Sequence, residues 1–294
     1  MVEFIIPEAA EFVMQEISAS RLSVAVPSNA PPEDQIICQL VNQGFNPKQL
    51  LRAAWSLYRH ELQEALRAKP HVPVLGGLFA GMLCNTTTLS SVLLAKQQGT
   101  YEAELQDLIF EWASDVQGFV DIGCAEGFYV NGIAHWLKIP CVGVDINPAA
   151  RDLVLGTAQV NGYANFVSFQ SSVAEAISAV QGKILVLVDV DGHERLVLGE
   201  LFDSLFAFDP NGNIVREVVL VIETDVSANG EQNTAELVEI LVGKGASIQA
   251  MARQDPLRRF SQRTRHLSFM DQCVHGLEGR GPGQLWFLAT WKRS

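Results

Sequence analysis

The chain has 294 residues, of which 48% are hydrophobic and 18% charged, with a formal net charge of −12. That composition supports a sizeable buried core and excludes a disordered chain. The acidic balance disfavours nucleic acid as a partner, because unaided binding to phosphates needs basic surface.

The first residues, MVEFIIPEAAEF, place no basic region ahead of an apolar one, so no signal peptide is read there. The five cysteines, Cys38, Cys84, Cys124, Cys141 and Cys273, form no CxxC pair or metal-ligand cluster. Reduced, buried thiols and a cytoplasmic location are expected. Up to about residue 100 the pattern is helical. PEDQIICQLVNQ and NPKQLLRAAWSLYRHELQEALRA carry apolar residues at three- and four-residue spacing. In the second, Asn46 is placed to cap the helix and Pro47 to open it. Pro70 and Pro73 then break the chain. Residues 72–95 are uncharged but contain proline, glycines and the polar run NTTTLSS, so a membrane span is not expected. A buried helix or a loop folded over a pocket is read there instead. A further helix is predicted from Tyr101 to Ala113.

From Phe119 the rhythm changes. GFVDIG, CVGVDI, NFVSFQ, KILVLVDV and EVVLVIE are short, apolar and rich in valine or isoleucine, with helical stretches between them. They read as parallel strands buried on both faces, in an α/β fold with right-handed crossovers. Val130, Ile133, Ala134 and Leu137 form one helical stripe. Asn147 and Pro148 open the next helix and Asn161-Gly162 closes it. Asn233 with Glu236 is read as a capping box. ASIQAMAR and QLWFLATWK are predicted as final strands, with an arginine-rich connection between them.

In such a sheet ligands sit beyond the carboxyl ends of the strands. The stretch FVDIGCAEGFYV falls there, and its glycines, Gly123 and Gly127, allow close approach of backbone to a ligand. The spacing Asp121-x-Gly123-x-x-x-Gly127 lacks the middle glycine of a pyrophosphate-binding loop, and Glu126 would set a negative charge near a diphosphate. Both observations weigh against a nicotinamide dinucleotide.

The same spacing resembles the first motif of the class I S-adenosylmethionine-dependent methyltransferases, and the resemblance continues in order through VGVDINP, SFQSSVAEAI and LVLVDVDGHE. VDVDGHE is also similar to the acidic segment of FkbM-type O-methyltransferases. About residues 99–225 are covered. The resemblance implies a Rossmann-like class I methyltransferase fold with a mainly parallel seven-stranded sheet (residues 99–294) behind a helical N-terminal extension (residues 1–98). It implies S-adenosyl-L-methionine as cofactor and methyl transfer to a small molecule at oxygen. The implied cofactor contacts are Tyr101 and Glu102 before the first strand, then Asp121, Gly123, Cys124, Ala125 and Gly127. Asp145 would meet the ribose, Ile146 beside it the cofactor, Ser172 and Val173 the adenine, and Asp189 the cofactor as well. Asp121 would favour the ammonium, and Asp145, 24 residues beyond it, the ribose hydroxyls. Asp191, His193 and Glu223 are the catalytic candidates, with His193 a base of suitable intrinsic pKa.

Glu194 is read as a helix-terminal charge. Asp189, Asp191 and Glu223 together could hold a divalent cation, as in catechol-type methyltransferases. That subgroup has an Asp-Asn pair where this chain has ETD, and no metal is assigned. Arg253, Arg258, Arg259, Arg263 and Arg265 lie where acceptors enter this fold and suggest an anionic acceptor. A homodimer is compatible with the sequence. A nucleic-acid or protein methyltransferase, or a non-catalytic cofactor-binding protein, remain the rival readings.

Overall fold

The computed structural model describes residues 35, 38–40, 42–89, 92–206, 215–224, 233–253, 265, 268, 272 and 285–292. The chain forms two compact units, Met1–Ala65 and Leu66–Ser294.

The first unit contributes most of helix α1 (Pro47–Arg67). Its start is where Asn46 and Pro47 predict it. The backbone N–H of Gln49 donates to Asn46 Oδ1 at 3.0 Å, and that of Asn46 donates to Gln49 Oε1 at 2.9 Å. This reciprocal pair satisfies amide donors that the helix itself leaves open.

The second unit begins with a short antiparallel pair, β1 (His71–Pro73) and β2 (Leu83–Asn85), followed by α2 (Leu93–Gln98). The uncharged run is therefore a two-stranded turn plus a short helix. Pro70, Pro73 and the left-handed Gly77 and Gly81 prevent a longer helix. Its apolar side chains serve as core: Phe79 and Met82 are fully buried, and Phe79 meets the rings of Phe128 and Tyr129 edge-on. α3 (Ala103–Trp112) starts two residues later than predicted, because Glu102 adopts the left-handed conformation at its N-terminus (φ 47°).

The sheet follows as β3 (Gly118–Ile122), α4 (Phe128–Leu137), β4 (Cys141–Val144), α5 (Pro148–Asn161), β5 (Val167–Gln170), α6 (Val173–Ser178), β6 (Gly182–Val188), α7 (Glu194–Phe206), β7 (Val215–Thr224), α8 (Thr234–Gly243), β8 (Ser247–Arg253) and β9 (Leu285–Lys292). The strand order is β5-β4-β3-β6-β7-β9-β8, seven strands in all. Only β9 runs against its neighbours, pairing antiparallel with both β7 and β8. This is the Rossmann-like α/β architecture with a mainly parallel seven-stranded sheet that the sequence predicts. The alternation of each strand divides the core. Phe119, Leu185 and Leu187 pack under α3, α4 and α5, while Val120, Val186 and Val188 pack under α6, α7 and α8. Burial on both faces explains why these strands read as unbroken apolar runs.

One local expectation differs. Asn233 makes no capping hydrogen bond to α8; its side-chain amide donates to Glu194 Oε2 at 3.0 Å instead. Glu194 opens α7, as a helix-terminal charge should, but it is only 2% exposed, and its Oε1 also accepts the Gly192 N–H at 2.7 Å. It ties the loop after β6 to the start of α8. No helix among the described residues is long and apolar enough to cross a membrane.

Candidate functional site

The chain leaves β3 for β4 on one side and reaches β6 on the other, so a crevice opens beyond the carboxyl ends of these strands. A cavity of about 1000 Å³ occupies it. The loop after β3 forms its floor. Gly123 and Cys124 donate their backbone N–H groups to Val144 O at 2.9 and 3.1 Å, and Ala125 donates to Asp145 Oδ2 at 2.8 Å. Asp145 Oδ1 accepts the Asn147 N–H at 2.7 Å. Asp145 thus fixes the glycine loop and its own turn while retaining lone pairs for a ligand. Ala125, between the glycines, is held left-handed at φ 46°.

The wall brings together most of the residues singled out on sequence. Tyr101 and Glu102 stand before α3, and Asp121, Gly123, Cys124 and Ala125 follow β3. Asp145 and Ile146 end β4, and Ser172 and Val173 begin α6. Asp189, Asp191 and His193 follow β6, and Glu223 comes from β7. Ser172 also caps α6, its hydroxyl accepting the Glu175 N–H at 3.3 Å. Ile146 is fully exposed at the rim.

Gly127 is not in the wall. It opens α4 at φ 80°, and a Cβ there would lie 2.6 Å from Val154 Cγ2, so its place is set by helix packing. Gly123 is in the wall, but its lack of a side chain answers to the protein as well. A Cβ would lie 1.7 Å from the Asp189 carbonyl oxygen, where β3 and β6 end side by side. Glu126 departs further from expectation. It is 3% exposed and outside the cavity wall, bonded to Lys96 and to the Leu89 N–H, so it sets no negative charge against a ligand.

Charge is concentrated at the inner end. Asp121 is 2% exposed, and its carboxyl is pushed well above the ordinary range by burial first, then by the Asp189 and Asp145 carboxylates. Lys96 and the Val130 backbone N–H pull in the opposite direction. Burial, with the same acids nearby, also raises the Cys124 thiol, which therefore presents a neutral wall. Mutually repelling carboxylates in a partly enclosed cavity are relieved by a bound cation.

Oxygen atoms of Asp189, Asp191 and Glu223 lie within 4.8 Å of one another, a donor set of the kind that holds a divalent cation. Asp191 is exposed and left-handed at φ 45°. His193 is exposed, and its Nδ1 is 3.3 Å from the Val190 carbonyl oxygen. If Nδ1 donates there, the neutral ring keeps Nε2 as proton acceptor. Of the arginine-rich connection, Arg258, Arg259 and Arg263 lie outside the described residues, as does the side chain of Arg253; Arg265 is exposed.

The wall also contains Lys96, Phe128, Tyr129, Leu89, Val92 and Glu200, none of them singled out on sequence. Lys96 ends the uncharged run, which was the one available sign that a charge there faces something particular.

No family model matches the chain, and no curated protein matches it. Solved structures similar to it include precorrin-6y C5,15-methyltransferase of Geobacter metallireducens, at 12% identity and TM-score 0.45, covering 72% of this chain and 97% of that one. A geranyl diphosphate methyltransferase in complex with SAM is 14% identical, with TM-score 0.45, over 69% of this chain and 89% of that one. Ribosomal protein L11 methylase of Lactobacillus delbrueckii subsp. bulgaricus is 14% identical, with TM-score 0.37, over 63% and 75%. At these identities and scores no function is carried over from any of them. The fold stands on the strand order.

Proposed function

We propose that the chain is an S-adenosylmethionine-dependent methyltransferase acting on a small molecule. One observation carries this reading: a single cavity joins a buried, electrostatically strained Asp121 at its inner end to Asp145 and the bare Ile146 at its rim. A carboxylate for an ammonium, acceptors for ribose hydroxyls and an apolar surface for a base are spaced along one wall. Asp121 would hold the ammonium and Asp145 the ribose, with Ile146, Ser172 and Val173 around the adenine. When bound, the cofactor supplies an electrophilic methyl on a sulfonium.

The chain's own work is then positioning, exclusion of water and removal of one proton. His193 Nε2, Asp191 or Glu223 would take the proton of an acceptor hydroxyl. A cavity of about 1000 Å³ lies at the top of the roughly 300–1,000 Å³ range of small-molecule sites. It leaves room for an acceptor beside the cofactor. Among the described residues of the wall, Asp191, Glu200 and Glu223 suit a neutral or cationic acceptor.

Calorimetry with S-adenosylmethionine and S-adenosylhomocysteine tests the reading. Binding of both, weakened in Asp145→Ala by about 1–3 kcal/mol, is expected for a lost charged hydrogen-bond acceptor. Absence of binding by the wild-type chain would refute it.

A further inference from the structure

Asp121 accounts for one half of an amino-acid moiety, and Lys96 offers a partner for the other. Lys96 sits on α2, is 3% exposed, and forms a buried ion pair with Glu126. Its Nζ lies 4.6 Å from the ring centroid of Tyr101 and 5.0 Å from that of Phe128. Both rings and Lys96 itself are in the cavity wall, whereas Glu126 is behind it. Among the described residues of that wall, Lys96 is the single lysine or arginine, set against seven carboxylates from Glu102 to Glu223. It is close enough to Asp121 to oppose the upward push on that carboxyl.

Among the described residues of the wall, a carboxylate entering the cavity therefore meets a positively charged side chain only at Lys96. In an α-amino acid the ammonium and carboxylate share one carbon, so a ligand whose ammonium rests on Asp121 carries its carboxylate within a few ångströms of it. Adjacent wall groups of opposite charge, one of them an amine held by aromatic faces, complement such a zwitterion. Resting on the proposed function, we infer that Lys96 binds the carboxylate of the cofactor's methionine part and that Glu126 positions Lys96 for it. Glu126 does so from behind, with Oε1 on Lys96 and Oε2 accepting the Leu89 N–H at 3.1 Å. The acid between the two loop glycines thereby orders the cation that the ligand meets.

The test compares two ligands that differ in the amino-acid part. S-adenosylhomocysteine carries the carboxylate and ammonium; 5′-methylthioadenosine carries neither. Lys96→Met alone would strand a buried Glu126 charge, so it is paired with Glu126→Gln, which retains an acceptor for Leu89. In calorimetry the double variant should lose tenfold or more in affinity for S-adenosylhomocysteine and stay within about twofold for 5′-methylthioadenosine. Equal affinities of variant and wild type, or equal losses for both ligands, would overturn the assignment. So would wild-type binding of ADP more tightly than 5′-methylthioadenosine, lost in the variant, since Lys96 would then serve phosphate. A second measurement needs no variant: the wild-type chain should bind the decarboxylated analogue of S-adenosylhomocysteine at least tenfold more weakly than the parent, and equal binding overturns the assignment however the variant folds. A wild-type chain that binds neither nucleoside refutes the proposed function itself, an outcome distinct from all of these.

Discussion

Replacing Gly123 by alanine adds one methyl group where β3 and β6 end against each other. Gly123 has φ 86°, and its Cβ would lie 1.7 Å from the Asp189 carbonyl oxygen and 2.8 Å from the carbonyl carbon. Gly192 provides the control, with φ 91° and nothing within 4 Å of the corresponding Cβ. Both substitutions carry the left-handed penalty of an L-residue, about 1–2 kcal/mol. Gly123→Ala alone adds overpacking against backbone, about 1–3 kcal/mol more. In a unit of roughly 150–250 residues each kcal/mol lowers Tm by about 2–4 °C. Gly192→Ala should therefore lower Tm by about 2–8 °C and Gly123→Ala by about 4–20 °C, with the larger loss at Gly123. Thermal melts followed by circular dichroism measure both. Relief of the clash must separate the strand ends, so affinity for S-adenosylhomocysteine should fall with stability in Gly123→Ala and hold in Gly192→Ala. Equal shifts for the two variants would refute the reasoning, because the contact with Asp189 would then relax at no cost.

Asp121 makes a pH prediction. A carboxyl raised on folding binds its proton more tightly in the folded state, so it favours folding at low pH, and that stability is lost as pH rises above the unfolded value of about 4. Melts across pH 4–8 should show Asp121→Asn gaining on the wild type as pH increases, while its affinity for an ammonium-bearing ligand falls; parallel curves would count against the strained carboxyl. Phe79→Ala should destabilise the second unit by about 3–5 kcal/mol in denaturant melts, as expected for a buried aromatic. A loss below 1 kcal/mol would show that the β1–β2 segment is dispensable to the core. Burial raises Cys84 to about 11 and raises Cys124 and Cys141 as well. Alkylation of the native chain at pH 8 followed by mass spectrometry should leave all three unmodified.

The sheet was legible in the sequence because each strand is buried on both faces and must be apolar throughout. Strand runs such as KILVLVDV stand out against any surface segment. The wall residues after β3, β4 and β6 were legible for a related reason: in this topology the carboxyl ends of the strands converge, so acids and glycines at those positions share one cavity. The helix starts at Pro47 and Pro148 followed from local chemistry alone. What spacing leaves undecided is the direction of a side chain in a loop. Glu126 lies between two glycines of the ligand loop, yet it turns inward to Lys96, 30 residues earlier in the chain, because a buried lysine needs an anionic partner. Asn233 has the type and position of a cap, but its backbone is helical where a cap's is extended, and its amide nitrogen is turned to Glu194. Gly123 and Gly127 read as room for a ligand, while the space each preserves is also claimed by Asp189 O or Val154, neighbours that only folding brings there. Periodicity and strand-end chemistry are short-range properties of the chain. Which charge faces the cavity and which lies behind it depends on pairing between distant segments, and only the tertiary structure decides that.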